Sequence, residues 1–203
     1  MAERLVLDLF CEDSGHEVFI TNLVRVIARS LAVTEPLVKP ISARGGHGKA
    51  ISELKAWQRG LRSGALVRGD ALLAVIDANS KGWRAMDRDV RAAIDVSLYP
   101  QVIIGCPDPH VEVWCAADPA AFQSQFSVAV PSAPSRGGRL VYKQWLRTAL
   151  EQAGEMVLGD PMDISLELLP AMDLNRACRN DDSLQHLVSS VRAWLQRQMW
   201  TDL

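Results

Sequence analysis

Residues Asp70 to Asn79 read Asp-Ala-Leu-Leu-Ala-Val-Ile-Asp-Ala-Asn, an apolar run that stops abruptly at a carboxylate. Leu72, Leu73, Ala74, Val75 and Ile76 show no polar alternation, which is the pattern of a strand buried on both faces of a parallel sheet. Asp77 falls at its carboxyl end. In open α/β sheets ligands bind at that end, where strand order reverses, so a carboxylate leaving a buried strand there is a functional candidate. A second run, Leu5, Val6, Leu7, Leu9 and Phe10, ends in Cys11-Glu12-Asp13-Ser14-Gly15. If the two strands lie side by side, Glu12 and Asp77 converge. Adjacent carboxylates repel unless a cation or a proton sits between them.

After the first strand, Val18, Phe19, Leu23, Val24, Val26, Ile27 and Leu31 keep an apolar stripe at helical spacing. Leu37, Val38 and Ile41 read as a second strand, and Pro40 within it points to a sheet edge because proline cannot donate to a ladder. A helix is expected from about Ala50 to Leu61, with Ile51, Leu54 and Trp57 on one face. Another, strongly charged, is expected from Ser80 to Asp95. Val102, Ile103 and Ile104 form a fourth strand, and Val111 to Ala117 a short helical segment. Strands alternating with helices in this way predict an α/β fold with a mainly parallel four-stranded sheet and right-handed crossovers. Val130 to Gly138, rich in Pro, Ser and Gly, reads as a linker. Beyond it, Leu140 to Leu150 and Ser183 to Met199 read as amphipathic helices, the second capped by Ser183, with Trp194 and Trp200 helping to bury them. The expected division is therefore an α/β domain over 1–128, a linker over 129–138 and a C-terminal helical appendage over 139–203 packed on the sheet.

A chain of 203 residues is long enough for one sizeable core, and 48% hydrophobic with 23% charged residues fits a globular protein. The net charge of −2 excludes a free-standing basic nucleic-acid binder, though not a local basic patch. Cys11, Cys106, Cys115 and Cys178 form no CxxC pair and lie mostly in or beside apolar runs, so reduced core thiols are expected. The N-terminal Met-Ala-Glu-Arg-Leu-Val-Leu-Asp-Leu-Phe lacks a small-residue cleavage site, and no apolar stretch approaches the length of a membrane span; a cytoplasmic protein is expected.

Four groups of residues could carry chemistry. Glu12 is a metal ligand or general base, or else an acid favoured by a helix N-terminus. Asp77-Ala78-Asn79 has the shape of an acidic metal site, and equally of an Asx turn. Glu112 and Asp118 could complete a second cation position, or Glu112 could cap its own segment; His110 reads as a hydrogen-bonded structural histidine rather than a ligand. Arg44-Gly45-Gly46-His47-Gly48-Lys49 invites a phosphate reading but is not a Walker A loop, since Ala43 stands where its first glycine belongs and Ala50 where its Ser or Thr belongs. Arg44 and Lys49 remain as a basic loop able to touch a nucleic-acid backbone, or as part of a plain glycine-rich turn.

A glutamate after the first strand and an Asp-x-Asp-like pair after the third resemble the TOPRIM domain of topoisomerases, primases and OLD-type nucleases. Pro107-Asp-Pro-His-Val-Glu112-Val-Trp114-Cys-Ala-Ala117-Asp118 also resembles the Pro-x-x-x-x-Glu-x-Trp-x-x-Ala-Asp signature of small TOPRIM-like proteins encoded beside ABC/OLD-type ATPases. The resemblance covers about the first two thirds of the chain. It implies a Rossmann-like domain in which Glu12, Asp77 and Glu112 are the acidic residues of the site. Asn79 departs from the pattern, because it offers an oxygen but no charge where the pair has its second Asp.

The resemblance implies a divalent-metal-dependent nuclease subunit, with Mg²⁺ or Mn²⁺ held by Glu12, Asp77, Asn79 and Glu112. Glu12, Asp77, Glu112 and Lys49 would then serve catalysis, and Arg44 and Lys49 would grip the nucleic acid, DNA above all. An ABC/OLD-type ATPase is the implied partner, in phage defence or repair. Asn79 keeps open the alternative of a non-catalytic TOPRIM-like adaptor in such a complex. A phosphatase on the same topology is a third reading, which the lack of an Asp-x-Asp nucleophile pair after the first strand does not encourage.

Overall fold

The computed structural model describes residues 4–43 and 49–201, the last three of these by backbone alone. Four strands, β1 (Val6–Cys11), β2 (Leu37–Ser42), β3 (Ala71–Val75) and β4 (Val102–Gly105), form one all-parallel sheet in the order β2-β1-β3-β4. The expected α/β class and strand runs are present within a residue or two. β1 sits directly beside β3, with Leu9 opposite Leu73 and Cys11 opposite Val75. β2 is an edge strand, and Pro40 pairs with Leu9 there, where its missing N–H can face outward.

After β1 the chain moves to one side of the sheet to make β2, and after β2 it returns past β1 to make β3. Right-handed crossovers in opposite directions place the connecting helices on opposite faces. Accordingly α1 (Ser14–Ser30) covers the face presented by Leu7, Leu9, Cys11, Leu73 and Val75. The other face, with Phe10, Leu72, Ala74 and Ile76, is covered by α2 (Ala50–Arg62) and α3 (Trp83–Ala93) through Leu54, Met86 and Val90. β3 is buried along its whole length, as its continuous apolar run requires.

A 3₁₀ segment, Val111–Ala116, leads to α4 (Pro119–Phe126), α5 (Arg139–Gln152), α6 (Ser165–Ala171), α7 (Leu174–Asn180) and α8 (Asp182–Thr201). Three of these helices, α4, α6 and α7, are seven or eight residues long, and no periodicity in the sequence predicts them. The C-terminal helices share a single apolar core with α1 and one face of the sheet, through Leu146, Leu168, Leu187, Val191 and Trp194. α8 lies on β4, where Gly105 permits the approach: a Cβ there would stand 3.1 Å from Leu187 Cδ2. Ser183 does not cap α8. Asp181 does so instead, accepting from the Leu184 amide at 2.8 Å, while Ser183 Oγ accepts from buried Trp114 Nε1 at 2.9 Å. Trp194 is buried as expected; the side chain of Trp200 lies outside the described residues. All four cysteines are free and buried. No helix among the described residues is long and apolar enough to cross a membrane.

Candidate functional site

Strand order reverses between β1 and β3, the place where open α/β sheets bind ligands, and the acidic residues collect at the carboxyl ends of these strands. Glu12 follows β1 directly, and its Oε1 accepts the Asp77 amide at 3.1 Å. Beyond β3 the backbone keeps pairing with the segment after β4: Ile76 N–H donates to Gly105 at 3.1 Å, Ala78 to Pro107 at 2.7 Å and Asn79 to Pro109 at 2.9 Å. This zipper carries His110 and Glu112 to Asp77. Glu12 and Asp77 therefore meet on one rim of the sheet.

Two histidines hold Asp77. His16 Nε2 lies 2.9 Å from Oδ1 and His110 Nδ1 2.8 Å from Oδ2, while the Val111 amide donates to Oδ1 at 3.1 Å. Both carboxylate oxygens are thus engaged, and all three side chains are buried. His16 reaches Asp77 because Asp13 caps α1: Asp13 Oδ1 accepts the His16 amide at 2.9 Å and lies 2.7 Å from its ring Nδ1. Its imidazole is clamped between two carboxylates. Burial opposes the imidazolium, but the charges of Asp77 and Asp13 and the bonds to them outweigh it, so His16 titrates well above its ordinary range. Asp13 and Asp77 are likewise held below the usual carboxylate range, since the histidines overcome the cost of burial. For His110 the order is the same: burial lowers its pKa, but Asp77 raises it further, helped by Glu112 and Glu12.

The C-terminal segment reaches this rim. Arg139 of α5 pairs with Asp13 Oδ2 at 2.5 Å, Lys143 stands 3.4 Å from the same oxygen, and Lys143 also pairs with Asp160. Gly15 allows Asp160 and Met162 to come close, since a Cβ there would be 3.3 Å from Asp160 Oδ2 and 3.1 Å from Met162 Cγ. Tyr142 of α5 lies against the His110 ring, with centroids 4.8 Å apart.

Glu112 is the anomaly. Its residue is 1% exposed, and among the described residues neither carboxylate oxygen has a hydrogen-bond partner. Burial, and after it the Asp77 charge, pushes its pKa up to about 7. An orphaned buried carboxylate is costly, and a proton or a cation is what relieves it. Among the described residues no group of three or more His, Cys, Asp or Glu side chains is arranged to hold a metal ion. The donor set thus does not form an all-protein cage. Mg²⁺ is commonly held by one or two carboxylates together with several waters, so the lack of such a cage does not by itself decide for or against it.

The other expected residues lie elsewhere or play different parts. Asn79 turns its side-chain amide back to the Asp77 carbonyl at 2.9 Å, at a backbone φ of 51°. Asp118 is not placed as a second cation ligand: it caps α4 and is gripped by Arg176 at 2.6 and 2.8 Å. Lys49 is exposed immediately before α2, and Arg44 lies outside the described residues. His16, Asp13, Arg139 and Lys143 join the site without any motif that marks them in the sequence. Only the position of Asp13 just before the helical stripe carries a signal, that of a cap.

Fold and site together define an α/β protein with a Rossmann-like, all-parallel sheet and a buried carboxylate-histidine cluster at its switch point. No family model, curated protein or solved structure matches the chain.

Proposed function

We propose that the chain is a TOPRIM-like, divalent-metal-dependent nuclease subunit, cytoplasmic, that cleaves phosphodiester bonds of nucleic acid, DNA above all, with an ABC/OLD-type ATPase as its partner. The observation that carries this reading is Glu112, a buried carboxylate whose two oxygens have no partner among the described residues, standing at the rim where Glu12 and Asp77 also converge. Glu112 and Glu12 would hold Mg²⁺ or Mn²⁺, with Asp77 and Asn79 beside them. When bound, the ion would supply a Lewis acid for the phosphoryl oxygens and lower the pKa of a coordinated water.

The chain's own groups do the remaining work. His16, fixed as a cation between Asp13 and Asp77, offsets negative charge gathered at the rim. His110 is oriented by its bond to Asp77 and by the Tyr142 ring. Lys49, exposed at the start of α2, would hold the substrate backbone, and Arg44 precedes it by five residues in sequence. Four free, buried thiols suit a reducing compartment.

A plasmid-nicking assay with Mg²⁺ or Mn²⁺, with and without an ATPase partner, tests the proposal. Cleavage should depend on the added cation and be lost in Glu112→Gln and Glu12→Ala proteins; cleavage at the wild-type rate in both would reject the assignment. One observation favours a second reading, the non-catalytic adaptor: both Asp77 oxygens are already engaged by histidines and an amide, and Asn79 is uncharged. An adaptor would show neither nicking nor heat of binding on titration with Mg²⁺ or Mn²⁺.

A further inference from the structure

Because α2 follows β2, its N-terminal end lies at the same rim of the sheet as the carboxylate cluster, and its body runs away from that rim. Lys55, Arg59 and Arg62 stand at positions i, i+4 and i+7, hence on one side of the helix, and all three are exposed. With Gln58 and Ala93 they line a cavity of about 260 Å³ between α2 and the end of α3. Its floor is fixed. Gln58 is 3% exposed, donates to the Ala93 carbonyl at 2.9 Å and accepts the Asp95 amide at 2.6 Å. Arg62 shares Asp95 at 2.6 and 3.0 Å, whereas Lys55 and Arg59 have no ion-pair partner among the described residues. From Lys49 to Arg62 there are four cations and a single acid, Glu53, in a chain whose net charge is −2.

We propose that this side of α2 is a track for the sugar-phosphate backbone of nucleic acid, leading from the Lys55, Arg59 and Arg62 cavity past Lys49 to the carboxylate rim. The proposal rests on the nuclease reading. From Lys55 to Arg62 the helix rises about 10 Å, which spans about three phosphates of one strand at roughly 3.4 Å of axis each. A regularly charged polymer is thereby matched along the helix, and it enters from the side of the sheet opposite α8.

Binding of labelled duplex DNA, measured by fluorescence anisotropy in chelator between 50 and 200 mM KCl, tests the track. Each phosphate contact adds about 0.9 to the slope of log K against log salt, so Lys55→Ala/Arg59→Ala should flatten the slope by about 2. Over that fourfold change in salt the wild type should lose roughly tenfold more affinity than the double variant. Arg192→Ala/Arg197→Ala removes the same charge from α8, on the opposite face, and should leave the slope unchanged. If the wild type binds and nicks DNA but the α2 variant keeps its slope, the track is refuted and the nuclease reading survives. If the wild type neither binds nor nicks nucleic acid, both fall.

Discussion

Replacing Glu112 by glutamine should make the protein's stability far less sensitive to pH. In the folded chain the Glu112 carboxyl titrates near 7, against an ordinary value of 4.5. Between those values the folded protein keeps a proton that the unfolded chain releases, so stability falls as pH rises and the full cost is reached above pH 7. At about 1.4 kcal/mol per unit the loss is about 3 kcal/mol. The glutamine side chain is similar in shape and does not ionise. In chelator, urea denaturation at pH 5 and pH 8 should therefore show the stability difference between wild type and Glu112→Gln moving by about 2.5 kcal/mol in favour of the variant at pH 8, since part of the loss is already incurred at pH 5. On the proposed metal site, added Mg²⁺ at one hundred times its Kd should return about 2.7 kcal/mol to the wild type and nothing to the variant. Parallel stability curves for the two proteins, differing by a constant offset, would refute the account of Glu112 as an orphaned buried carboxylate.

Three further outcomes can be checked directly. His16→Ala leaves the buried Asp77 without one of its two histidine partners and the half-buried Asp13 with Arg139 and Lys143 as its remaining cationic partners, and should cost on the order of 3 kcal/mol in urea denaturation; a cost under about 1 kcal/mol would contradict the clamp. Asp118→Asn weakens the two charge-assisted bonds from Arg176 and should cost about 2 kcal/mol, with a double-mutant cycle against Arg176→Met assigning most of it to that pair. Finally, Cys11 is buried and its thiol is pushed up to about 12, so a thiol-specific reagent at pH 8 should label none of the four cysteines in the native protein and all four in denaturant.

Whatever depends on neighbours along the chain is legible in the amino-acid order. The apolar runs mark the four strands because burial on both faces leaves no polar alternation, and Pro40 marks the edge because a proline lacks a ladder donor. Glu12 and Asp77 stand out because each follows a strand end, where the chain must turn with its polar residues, and Glu112 because it lies in the polar segment after β4. Packing across the fold settles the rest. The adjacency of β1 and β3, which brings Glu12 to the Asp77 amide, comes from strand order, and the local pattern permits other orders. His16 sits in an ordinary first helical turn, and only the opposing Asp77, 61 residues on, makes it a clamped cation. Asp118 has a ligand's chemistry in the sequence; its cap on α4 is local, just before Pro119, but packing brings Arg176 to it from 58 residues away and makes it an ion-pair partner. The helices α4, α6 and α7 are too short to show a period, and their existence follows from the apolar surfaces they cover: α6 packs on α1, α4 on α6 and the 3₁₀ segment, and α7 on α8.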